Sequence, residues 1–143
     1  MSMESKIIEN TIAELEESVS VPVFEFADRD TETVGAQIVV QCDQAGAAAR
    51  DKDGRVYEKT FPLVLHVVVH SQYRRDNKTA HHDLVAICDN FLEGLTIGRV
   101  EDWLDGGGDC TGIAEQDSQY NFTDTFDDFA RAAEIYIIPT QET

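Results

Sequence analysis

Basic residues are scarce in this chain: 11 Lys and Arg stand against 28 Asp and Glu, for a formal charge of −17. Such a surface repels phosphate backbones unless its cations gather into one patch. They do so only in part. Arg50, Lys52, Arg55 and Lys59 form a loose group interleaved with Asp51, Asp53 and Glu58, and Arg74 and Arg75 form a second group closed by Asp76. A nucleic-acid grip by this chain alone is therefore disfavoured. Cysteine is also sparse, and Cys42, Cys88 and Cys110 are widely spaced and odd in number, unlike the paired framework of small secreted domains. The longest apolar stretch, around Phe61 to Val69, is broken by Pro62 and His66 and falls far short of a membrane span. The opening Met-Ser-Met-Glu-Ser-Lys runs into an amphipathic pattern and lacks the apolar run and cleavage site of a signal peptide. Together these absences predict a soluble protein kept in a reducing cytoplasm, with no membrane partner.

What is present has the balance of a folded domain. Apolar residues make up 42% and charged residues 27% of 143 positions, enough for one hydrophobic core in a single domain, 1–143. Ile8, Ile12, Leu15 and Val19 recur at helical spacing and predict a helix over 3–19, which Pro22 ends. Val21, Val23, Phe24 and Phe26 then predict a short extended entry, and residues 34–43 a strand with Ile38, Val40 and Cys42 on one face. Residues 44–54 are small and polar and close on Asp-Gly, the composition of a hairpin tip.

The return arm is the most informative segment. From Tyr57 onward, Phe61, Leu63, Leu65, Val67 and Val69 are all apolar, a period of two that defines a core face. The alternate positions Val64, His66, Val68 and His70 are mixed, which fits a face that meets a neighbour. Ala80, Leu84, Ile87 and Phe91 predict a second helix that starts at Asn77 or Thr79 and stops at Gly94. Trp103 and Leu104 fall in a short helical turn, Gly106 to Gly108 in a flexible one. Strands are expected near 111–122 and over Ala132 to Ile138, with an acidic loop from Thr123 to Phe129 between them. The predicted fold is α+β: a mainly antiparallel sheet with a long β-hairpin and two helices packed on one face.

Reaction chemistry finds little support. His66 and His70 share a strand face at about 13 Å, too far apart for one metal ion. His81 and His82 diverge on a helix, and surface or subunit-contact histidines are the simpler reading. Cys88 sits beside the apolar stripe as an inert thiol. The Gly106 to Gly108 run lacks the Lys-Ser/Thr of a phosphate loop and is followed by Asp109. The acids at Asp105, Asp109 and Asp124 to Asp128 lack the spacing of a calcium loop. Trp103 reads as a cap on the open end of the core, with an interface anchor as the alternative. The expectation is a non-enzymatic protein without cofactor or metal.

The layout resembles a known family. An N-terminal amphipathic helix leads to strands, and a long hairpin returns through Phe61-Pro-Leu-Val-Leu-His-Val-Val-Val-His70. A short turn, Tyr73 to Asn77, precedes the helix Ala80-His-His-Asp-Leu-Val-Ala-Ile-Cys-Asp-Asn-Phe-Leu92, and C-terminal strands follow. Over nearly its whole length this order is similar to the tail terminator, or tail-completion, proteins of long-tailed bacteriophages. The resemblance implies a virion subunit in a ring, typically a hexamer, that caps the tail tube, stops its growth and docks the head–tail connector. No catalytic residue carries over, because that family is structural.

Six such chains at −17 each would carry roughly −100, a channel through which DNA slides without sticking. The same charge opposes association, so apolar or cross-charge contacts and a favourable effect of salt are expected. The residues expected at subunit or partner contacts are Arg50, Lys52 and Arg55 at the tip, Val64, His66, Val68 and His70 on the mixed face, and Trp103. Other readings are a different neck or connector subunit, a small cytosolic ligand-binding module or enzyme using the mixed face, and an acidic DNA mimic.

Overall fold

The computed structural model describes residues 2–28, 35–42, 46–54, 56–70, 72, 80–122 and 126–140. The fold is α+β, a largely antiparallel seven-stranded sheet whose main path runs β1-β2-β4-β7-β5. Helix α1 (Met3–Glu16) starts where the Ser2 hydroxyl accepts the Ser5 backbone N–H, with Glu4 placed favourably in the first turn. It buries Ile7, Ile8, Thr11 and Leu15; Ile12 and Val19 are only partly covered. β1 (Val23–Glu25) lies parallel to β2 (Ala36–Cys42), and a single 3-10 turn, Phe26–Asp28, follows it.

β2 and β3 (Gly46–Arg50) form the outgoing arm of the long hairpin, and β4 (Val56–His70) the return. The segment read as a polar loop over 44–54 is therefore strand for half its length: small side chains do not forbid extended backbone when a long partner supplies the ladder. Pro62, in the middle of a central strand, has a local explanation. The backbone N–H of His70 donates toward the β2 side, to Gly35, so alternate residues of β4, Pro62 among them, point that way. β2 pairs only as far as Leu63 and β3 takes over at Thr60, so the missing N–H of Pro62 faces the break in the ladder.

After the hairpin come α2 (Ala80–Glu93) and α3 (Ile97–Leu104), the latter capped by the Thr96 hydroxyl on the Arg99 N–H. The start proposed for α2 at Asn77 or Thr79, and the turn Tyr73 to Asn77, lie outside the described residues. Asp105 and Gly106 end α3 in left-handed backbone and aim the chain into β5 (Gly108–Glu115). Only glycine fits at 108, where a Cβ would stand 2.8 Å from Cγ2 of Ile137. β6 (Gln119–Phe122) and β7 (Phe126–Pro139) complete the sheet. The acidic stretch read as a loop up to Phe129 is thus the first part of β7, with Phe129 buried opposite Val67; Thr123 to Thr125 lie outside the described residues.

Among the described residues three helices cover one face of the sheet, one more than predicted, because the turn around Trp103 is a full helix. The inner face is complete: Phe61, Leu63, Leu65, Val67 and Val69 are at most 1% exposed, and Ala133, Ile135 and Ile137 of β7 lie beside them. In α2 the buried row is His81, Leu84, Cys88 and Leu92, rotated from the expected Ala80, Leu84, Ile87 and Phe91. His81, expected at the surface or at a subunit contact, is buried within the chain.

Candidate functional site

Two surfaces combine polar groups with apolar walls, and they lie on opposite sides of the sheet. The first is the outer sheet face. Even-numbered residues of β4 are half-buried there, and register sets Val64 beside Ala132, His66 beside Ala130 and Val68 beside Asp128. On the other side Gln41, Val39 and Gln37 of β2 pair with Val64, His66 and Val68. Val39 and Gln37 are buried, and the 3-10 turn lies over this end of the face, with the Phe26 ring 6.2 Å from that of His66.

His66 spans three strands. Its Nε2 is 2.9 Å from Oε1 of Gln41 and its Nδ1 is 3.3 Å from Oδ1 of Asp128. Both neighbours present oxygen, so a ring with two N–H groups satisfies both contacts at once; a ring with one needs the Gln41 amide turned end for end. Farther along this face the Tyr136 hydroxyl donates to Glu134, and the Thr111 hydroxyl donates to Glu58. The Tyr136 phenol is held above its ordinary range by that hydrogen bond, then by partial burial and the charges of Glu134 and Glu58.

The second surface is a cleft of about 290 Å³ among the three helices. Its centre is Arg99, whose Nε and Nη2 both donate to Oε1 of Glu14, at 2.8 and 2.6 Å. The guanidinium lies 5.0 Å from the Phe91 ring centroid and 5.9 Å from that of Trp103, and those two rings stack at 6.3 Å. Ile87 and Phe91 form the apolar wall, Ser18 and Asn90 the polar one. Oε2 of Glu14 is shut from solvent and accepts no hydrogen bond from a described residue.

The predicted contact residues therefore divide. Val64, His66, Val68 and His70 do share the outer face. Arg50 and Lys52 sit at the hairpin tip, far along the chain from that face's centre, and Arg55 lies outside the described residues. Trp103 belongs to the core, 8% exposed, which suits a cap and leaves little surface for an anchor. Cys88 is fully buried, its thiol pushed up to about 12 by desolvation and then by the Asp89 charge, the opposite of an activated nucleophile. Among the described residues no three His, Cys, Asp or Glu side chains converge as metal ligands. No described helix is long and apolar enough to cross a membrane.

Sequence reasoning missed Glu14, Arg99 and Arg131. Arg131 sits on the inner face opposite Leu65 and reaches out to Asp89 of α2 at 3.0 Å and Glu115 of β5 at 3.2 Å, clamping helix to sheet. A cation inside an apolar strand alternation, with acids four apart on a helix at Asp89 and Glu93, is the signal that was there to find. No protein-family model matches the chain, and no curated protein matches it in sequence.

Proposed function

We propose that the chain is a structural ring subunit of the tail-terminator kind, assembling with copies of itself and with tail and neck proteins. The observation that carries this reading is the outer sheet face. Its inner counterpart is sealed by helices, whereas this face offers Val64, Val68, Ala130 and Ala132 half-covered around one polar crosspiece, His66. Small apolar side chains with a few fixed polar groups suit a flat protein contact better than an enclosed reaction site. The element order, which resembles the tail terminators, and the −17 charge of a DNA-repelling channel wall agree with it.

The test is the mass of the purified chain by light scattering across concentration and salt, with electron microscopy of the protein mixed with tail tubes. A closed ring favoured by added salt, seated on tube ends, is expected. A monomer under every condition, with bare tubes, rejects the reading. A second reading, a small ligand-binding module, draws on the helix cleft, whose volume lies at the lower edge of the range for small-molecule sites (about 300–1,000 Å³). It requires a bound compound that lines up on Arg99.

A further inference from the structure

Resting on the ring reading, we propose that the hairpin tip of one copy docks into the helix cleft of the next, with Lys52 paired to Glu14. Each side of this contact has an unmet group. Glu14 receives both Arg99 hydrogen bonds through Oε1, and its buried Oε2 has no donor among the described residues. The side chain as a whole is 32% exposed, and a carboxylate's terminal torsion is broad, so a partial turn presents Oε2 to the cleft. Ile87 and Phe91 offer a wall for the methylenes of a lysine, with Ser18 and Asn90 at the polar rim. The cleft's size suits one long side chain.

Among the described cations, Lys6 donates to the Leu104 carbonyl, Arg50 to the Gly54 carbonyl, Arg99 to Glu14 and Arg131 to Asp89, while Lys59 is half-buried in β4. Lys52 is exposed at the apex and has no partner among the described residues. Its turn is already formed. The Asp53 backbone N–H donates to the Asp51 carboxylate and that of Gly54 to the Asp51 carbonyl, while Arg50 closes onto Gly54. A preformed tip has little left to order on docking. A chain of −17 that meets its own copy gains from placing cations across the contact, and among the described residues Lys52 is the exposed cation without a partner. Tip and cleft are different patches, and a one-way contact between them is heterologous and runs head to tail, which gives a ring when the rotation per subunit closes.

The full chain carrying Ser18→Cys at the cleft rim and Asp53→Cys beside Lys52 tests this, since both positions are exposed and the three native cysteines are buried. Mild oxidation should give a ladder of covalent multimers with this pair and none with Asp53→Cys combined with Gln116→Cys. Separately, Lys52→Glu should weaken self-association at least tenfold while the monomer melts as before. Oligomers by light scattering with no ladder, or with Lys52→Glu assembling normally, overturn the inference and leave the ring reading intact. A chain that stays monomeric throughout overturns both.

Discussion

The two faces of the sheet are made of the same strands and have opposite physical characters. On the inner face, β4 and β7 bury aliphatic side chains almost completely under the helices, and Arg131, a cation on that face, reaches the rim to be held by acids. On the outer face the same strands carry valine, alanine, histidine and acids at partial exposure, linked by hydrogen bonds from side chain to side chain. The perturbed protons report the contrast. Cys88, under the inner face, is pushed up chiefly by loss of water, whereas Tyr136, on the outer face, is raised first by its bond to Glu134. One face is sealed by helices, and the other keeps polar and apolar groups at partial exposure among the described residues.

The sharpest way to break this comparison is to delete volume. Leu65→Ala on the inner face should cost about 3 kcal/mol in denaturant unfolding, because α2 cannot collapse into the gap while Arg131 holds it to the sheet. A loss below about 1 kcal/mol would mean the inner face is loosely packed. Smaller is the alkaline response. Folded Cys88 keeps its proton to about pH 12 while the unfolded thiol releases it near 9.0. Stability is therefore fully present below pH 9 and falls as pH rises toward 12, by up to about 1.4 kcal/mol per pH unit. Cys110, also raised by burial, adds in the same direction. Cys88→Ala should flatten that slope in urea titrations at pH 9 to 11; an unchanged slope would place the thiol in a wet site. The smallest effect belongs to the outer face. Glu134→Gln should lower the Tyr136 titration seen in the ultraviolet and leave the melting temperature within a degree or two, since the phenol's shift comes mainly from that partner and not from depth.

How far the sequence revealed this depends on which rule a segment obeys. The alternation from Phe61 to Val69 marks both faces of β4 unambiguously, since a period of two has no competing interpretation over that length. Helix α2 was harder, because two apolar rows run along it. Leu84, Cys88 and Leu92 face the sheet while Ile87 and Phe91 wall the cleft, and a stripe drawn through the largest hydrophobes mixes the two. His81 completes the buried row but carries a polar ring that hydropathy assigns outward. β3 and the start of β7 have the composition of loops because Gly, Ala and Asp have low strand preference; each is held extended by the long β4 partner instead. The outer-face residues could be named from the alternation, but their partners could not. Nothing local links His66 to Asp128, or Arg99 to Glu14, because those pairs exist only after strands and helices distant in the chain have met.

The pairing of β4 with β7 governs how the molecule can come into being. Its two middle strands meet along twelve consecutive positions, yet Phe126 follows its opposite number His70 by 56 residues. During synthesis the valine-rich arm must therefore wait, with one flank unpaired, until the later hairpin has left the ribosome. Long-range closure of this kind is slow and leaves adhesive intermediates. A dense negative charge on the waiting chain keeps such intermediates apart, so the acidity that complicates assembly of finished subunits protects unfinished ones.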